Sequence, residues 1–142
     1  MRSISTAKRG QSLVEFALAL PVLLLLSVVI FDFGRAVYYS SAIHNAAREG
    51  VRWGSVHNDE SNGWAGMRTA ARQNAIGLTL LDTNFLYLGW GADEPNGNHT
   101  VQVTINYTFV PATPLVANFL PGGQISLIGD AIMRTEYDRP IP

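Results

Sequence analysis

The sequence predicts an α+β chain built on one long N-terminal helix, with a second short helix and a small antiparallel sheet of about three strands. Three observations predict it. Leu13 to Phe31 is nearly continuous apolar sequence with a single charge, Glu15, and its length matches the about 20 residues that a helix needs to cross a bilayer. The stretch after it holds an apolar stripe at helical spacing. The C-terminal half contains runs that alternate apolar and polar residues and are separated by turn-forming residues.

Composition narrows the function classes. The chain has 142 residues and a net charge of −1, which gives no electrostatic reason to expect a nucleic-acid partner. Arg2, Lys8 and Arg9 precede the apolar run without an acidic residue among them, and the remainder is net acidic. That asymmetry predicts an N-terminus in the cytoplasm and a C-terminal domain on the far side of the membrane. There is no cysteine, which excludes disulfides, thiolate nucleophiles and cysteine metal sites.

The boundaries follow. Residues 1–10 read as a basic leader. Residues 11–33 read as the membrane helix, with Pro21 inside it as the expected kink, because proline removes a backbone donor. Residues 34–53 read as an amphipathic extension of the same helix: Tyr39, Ile43, Ala46, Ala47 and Val51 share one face, while Arg35, Asn45, Arg48, Glu49 and Arg52 take the others. A continuous helix from Ser12 to Trp53 would be about 60 Å long. Residues 54–142 form a small extracytoplasmic α+β domain. It opens with a polar loop over 54–63. A short helix from Trp64 to Leu78 follows, with Ser61 or Asn62 as N-cap and Gly77 as its end signal. The strands are expected over Thr79–Trp90, Val101–Val110 and Gln124–Tyr137. Asn96-Gly97 is a hairpin signal between the first two, Pro111–Gly123 is a loop, and residues 139–142 are a frayed tail.

The stretch that carries function is Lys8-Arg9-Gly10-Gln11-Ser12-Leu13-Val14-Glu15-Phe16, running into the apolar helix. It resembles the class III signal of type IV prepilins. That resemblance implies cleavage after Gly10 by a membrane aspartyl peptidase, making Gln11 the new N-terminus and Glu15 the fifth mature residue. The chemistry suits these residue types. A glycine lets the peptide lie close to catalytic carboxylates, Lys8 and Arg9 hold the leader at an anionic membrane face, and the apolar helix stays in lipid after the cut. Ser12-x-x-Glu15 is also a capping box, and an acid in a first turn suits the helix dipole, so an uncleaved signal-anchor explains much of the same pattern.

Gly10 through Leu26 with its early Pro21, then Phe33-Gly34-Arg35, then Asn45-Ala46-Ala47-Arg48-Glu49-Gly50-Val51-Arg52, resembles the TadE-like pseudopilins of tight-adherence (Flp) pilus systems. The resemblance covers about a third of the chain. It implies a minor pilin or pseudopilin that takes part in pilus assembly, with a prepilin peptidase, other pilins, the assembly machinery and membrane lipid as partners. Glu15 is then the residue that sets helix stagger, by pairing with the new amine of a neighbouring subunit, and Arg48 and Arg52 are candidate partner contacts. The alternatives are an uncleaved, signal-anchored structural protein and an exported enzyme or ligand-binding domain on a stalk. No catalytic residue, metal site or cofactor is expected: His44, His57 and His99 lack ligand spacing, no nucleotide or nucleophile motif occurs, and Trp53, Trp64 and Trp90 read as packing residues.

Overall fold

The computed structural model describes residues 5–138, with side chains from Gly10 onward. The expectations for Arg2, for the Lys8 and Arg9 side chains and for the tail 139–142 lie outside the described residues. Six elements follow in order: α1 (Ser5–Val56), α2 (Ala65–Asn74), β1 (Phe85–Trp90), β2 (Thr100–Phe109), α3 (Pro114–Phe119) and β3 (Ile125–Arg134). The strands form one antiparallel sheet in the order β1-β2-β3. This is the expected α+β architecture, with a third short helix in place of part of the Pro111–Gly123 loop.

Helix α1 begins at Ser5 rather than Ser12. Thr6, Ala7, Lys8 and Arg9 accept helix, and Gly10 opposes it by only about 1 kcal/mol. Ser12 is therefore interior to the helix, and the expected Ser12 N-cap is not formed. The helix continues through Pro21 to Val56, about 78 Å at 1.5 Å per residue. Its far end is closed by other parts of the chain. The last carbonyls of a helix have no partner within it; here the Gly54 carbonyl accepts from the Tyr137 hydroxyl, and the Ser55 carbonyl from the Glu136 amide at 2.8 Å.

The core lies between the second half of α1, α2 and one face of the sheet. Ile43, Ala46, Ala47 and Val51 from the predicted stripe are buried, with Met67 and Ala71 from α2 and Val101, Val103 and Ile105 from β2. The perfect alternation of β2 places its apolar set inward, as expected of a strand buried on one face. Gly50 has a packing role: a Cβ there would stand 3.2 Å from the Met67 carbonyl and 3.3 Å from both Ala71 and Val103. The small residues Ala46, Ala47 and Gly50 thus let α1, α2 and β2 meet closely. Trp64 and Trp90 lie in this core with rings edge-to-face at 5.5 Å, and Trp53 packs on its border.

Several local expectations are corrected. Helix α2 is shorter than Trp64–Leu78, and neither Ser61 nor Asn62 caps it. Trp64 is the N-cap residue, with φ +61°, and the Asp59 carboxylate reaches over to accept the Gly66 amide at 2.6 Å. A left-handed tryptophan costs about 1 kcal/mol or more, and burial of its indole offsets that. Gly77 lies beyond the helix end, in the turn after Ala75. The first strand starts at Phe85, not Thr79. Asn84 holds the preceding turn, accepting from the Leu81 amide at 2.7 Å and donating to the Asn106 carbonyl at 2.9 Å. Asn96-Gly97 does not form a two-residue hairpin. It closes a Glu94–Gly97 turn within a longer connection, with Gly97 alone of the pair at positive φ.

Tyr137 supplies a pH-dependent contribution. Its phenol is pushed above the ordinary value of 10.0, first by burial and then by the Glu60 and Asp59 carboxylates. A raised pKa favours the protonated form in the fold, so the contribution is whole below pH 10 and is lost as pH rises through the folded-state value. Tyr137→Phe is expected to lower stability by about 1 kcal/mol at neutral pH. The difference from wild type should shrink above pH 10, read by urea unfolding at pH 7 and pH 10.5.

Candidate functional site

Among the described residues, none in the first half of α1 is buried against the rest of the chain. Every residue from Gly10 to Phe31 is exposed, including Phe16, Leu24 and Phe31. In water this surface would be the most costly feature of the protein. The helix is long and apolar enough to cross a membrane, and it fits a single-pass anchor.

The predicted processing and stagger residues lie along this exposed helix. Gly10 is exposed, and a Cβ there would meet nothing within 4 Å. The Gln11 amide donates to Glu15 at 3.4 Å, one helical turn on. Farther along, Arg48 and Arg52 are exposed on the side of α1 away from the core, Arg52 paired with Glu49 at 3.4 Å. Gly10, Glu15 and the two arginines are strung along the helix and do not converge on one site.

Where the exposed half of α1 gives way to the packed half, the structure gathers a cluster that sequence reasoning missed. Asp32 is buried, 3% exposed. Its carboxylate accepts the Ala112 amide at 2.9 Å, the Thr113 amide at 3.1 Å and the Thr113 hydroxyl, and it pairs with Arg35 at 3.2 Å. The Arg35 guanidinium lies over the rings of Tyr39, at 5.6 Å, and Phe109, at 5.4 Å. A buried carboxylate is tolerated only when its lone pairs are filled, and four donors fill these. The cluster fastens the 111–113 segment, 80 residues away in sequence, to the end of the apolar helix. An acid three residues before an arginine, just past an apolar run, was the only available signal, and it also describes a solvated i,i+3 pair.

Asp32→Ala is expected to destabilise the C-terminal unit by about 2 kcal/mol, because two backbone amides and the Thr113 hydroxyl lose their acceptor. Asp32→Asn, which keeps one carbonyl acceptor, should fall between. Thermal unfolding in detergent micelles, followed through tryptophan fluorescence, measures both.

Beside Asp32 runs an apolar groove of ≈ 160 Å³ between Val29, Phe33 and Ala36 on α1 and Val116, Leu120 and Ile125 opposite. A second cavity, ≈ 180 Å³ at the far end and lined by His99, Arg134 and Glu136 among others, is polar. Among the described residues no three potential metal-ligating side chains come together. His44 bonds its own helix at Ser40, His57 stacks on Trp53 at 4.5 Å, and His99 meets Asp93 at 3.0 Å.

The unpacked helix, Asp32 with Arg35, and the small-residue face of α1 form one continuous stretch of chain, and that stretch is what comparison with known families picks out. Residues 10–52 match the family model for TadE-like protein. No curated protein and no solved structure matches the chain. The TadE-like match covers about a third of the chain. It contains Gly10, Glu15, Pro21, Asp32, Arg35 and the Asn45–Arg52 stretch, and it ends where α1 nears its C-terminus. In this TadE-like segment Ala46, Ala47 and Gly50 are contact residues of the core, whereas Arg48 and Arg52 face outward. The partners of Asp32, Ala112 and Thr113, lie outside it.

Proposed function

We propose that the chain is a minor pilin or pseudopilin acting in assembly of a Flp-type, tight-adherence pilus, and that a prepilin peptidase matures it by cutting after Gly10. The observation that carries this reading is the coincidence of the TadE-like match with a helix whose residues 10–31 are all exposed while its continuation is locked into a folded unit. Such a helix is built to pack against lipid and against like helices. In this reading the N-terminus is cytoplasmic, the C-terminal unit is extracytoplasmic, and the chain works by packing and templating rather than by catalysis.

Glu15 has a defined part in it. A charge at the centre of a bilayer helix costs about 2.5–3.5 kcal/mol, so an acid in the span needs a partner or the nearby water. Cleavage would create an α-ammonium at Gln11. On a neighbouring subunit that amine can neutralise Glu15 and favour one axial stagger. Pro21 would loosen the helix one to two turns later, and the outward-facing Arg48 and Arg52 would be placed to meet a partner.

One feature favours the uncleaved anchor: α1 is helical on both sides of Gly10, so a peptidase must unwind a turn before it can cut. Mass spectrometry of the chain isolated from its native membrane decides between the two. A mature form beginning at Gln11 is expected. A chain that begins at Met1 would overturn the processing reading and leave the anchor.

A further inference from the structure

The segment from Val110 to Gly129 contains no aspartate, glutamate, lysine or arginine. It holds α3, the turn at Pro121–Gly123 and the start of β3. Several of its apolar side chains are turned outward: Phe119 is 82% exposed, and Val110, Leu115, Ile125 and Ile128 are also exposed. Charge is concentrated elsewhere, with Asp59, Glu60, Asp93 and Glu94 in the loops at the opposite end, where Tyr137 and Glu136 close α1.

The height of this segment along α1 is fixed. The groove that Val116, Leu120 and Ile125 share with α1 is formed there by Val29, Phe33 and Ala36. These residues straddle the end of the apolar run at Phe31. The clamp from Asp32 to Ala112 and Thr113 pins the residues leading into α3 at the same level. If the exposed half of α1 crosses a bilayer, α3 must lie at the bilayer surface.

We propose that α3 and its flanking residues, Val110 to Ile125, form a second membrane contact, with Leu115 and Phe119 inserted among the lipids where α1 leaves the bilayer. The occupant of this apolar surface is lipid. Its patch is continuous with the unpacked helix surface through Phe33 and Val29, and it is charge-free, as the boundary of headgroups and acyl chains requires. Asp32 serves the same arrangement from the inside: its charge is spent on protein donors, and the half-exposed Arg35 beside it has a side chain long enough to reach the headgroups. The contact would fix the tilt of the C-terminal unit against the membrane, which a single helix cannot do alone.

The proposal rests on the reading of α1 as a membrane span, and the test separates the two. The chain has no cysteine, so single cysteines can be introduced at exposed positions and given a nitroxide label: Phe119→Cys at the proposed contact, Leu24→Cys in the span and Ser61→Cys in the far loop. The full-length variants are reconstituted into phosphatidylethanolamine–phosphatidylglycerol vesicles. Relaxation by oxygen, which partitions into lipid, is compared with relaxation by a nickel chelate, which stays in water. The expected result is a lipid-type response at position 24, a water-type response at 61, and a lipid-type response at 119 corresponding to a depth of about 5–10 Å. A lipid response at 24 with a water response at 119 would overturn the second contact and leave the span intact. Low access of both reagents at 119 would also overturn it, and would assign the patch to a neighbouring protein chain. A water response at 24 would remove the span and the contact together.

Discussion

Gly10→Val is expected to abolish maturation without disturbing the fold. The two effects separate because of where Gly10 sits. It is exposed, a side chain there would meet no atom within 4 Å, and the first buried residue of the chain after it is Asp32, six turns on. Valine is also accepted in a helix somewhat better than glycine. Any loss must therefore arise in the encounter with the peptidase, where a β-branched side chain keeps the backbone away from the catalytic carboxylates and resists the extended conformation that a glycine adopts freely. In cells expressing the variant, the chain should accumulate entirely at the precursor mass. Its tryptophan-monitored unfolding in detergent should coincide with that of the wild type. A variant processed as fully as wild type would end the assignment of the cut to Gly10; a processing loss, by contrast, could not be blamed on the fold, which has no loss to offer.

What could be read from the sequence is what short-range periodicity encodes. The α1 stripe and the β2 alternation each face a single apolar layer, so burial stamps a period of 3.6 on one and of 2 on the other, and both were legible. The family-like stretch Gly10–Arg52 was legible for the same reason: it is one uninterrupted helix whose exposed apolar face, small-residue face and charged face are all local in sequence. The illegible features depend on partners far along the chain. Asp32 reads as the polar end of a span until Ala112 and Thr113 come to it. Thr79–Asn84 has the composition of a strand, yet Arg72 holds the Leu80 carbonyl at 2.9 Å and Asp82 at 2.8 Å, while Asn84 takes the Leu81 amide, so the backbone bonds that a strand would make are already used. Ser61 and Asn62 are ordinary cap residues, but Asp59 reaches the α2 amides first because Gly63 and Trp64 both turn left-handed. Helix α3 was hidden by its prolines. Pro114 opens it at a position where the missing N–H costs nothing, and Pro121 follows its end.

Gly129→Val should produce the largest loss of stability of any single substitution argued from this fold. Gly129 lies in the middle of β3, paired with Ile105 of β2, and its inward face meets the backbone of α1 directly. A Cβ at this position would stand 2.8 Å from the Ile43 carbonyl carbon and oxygen and 3.0 Å from the His44 amide nitrogen. These neighbours are helix backbone, which cannot rotate aside as a methionine or lysine end can. The helix and the sheet must separate, and separation opens the layer of Ile43, Ala46, Ala47, Val103 and Ile105 at its centre. Overpacking usually costs about 1–3 kcal/mol; with backbone on both sides the cost should reach or exceed the upper figure, a large fraction of the about 5–15 kcal/mol that holds a domain folded. The expected result is an unfolding midpoint many degrees below wild type in detergent and rapid proteolysis between α2 and β3. Gly34→Ala provides the contrast on the same helix, because a Cβ there meets nothing within 4 Å and alanine favours helix by about 1 kcal/mol. It should leave the midpoint unchanged or slightly raised. If Gly129→Val unfolded like wild type, the sheet would not rest on α1 at all. The Asp32 clamp and the height of α3 along the span, both of which require that contact, would then have no basis.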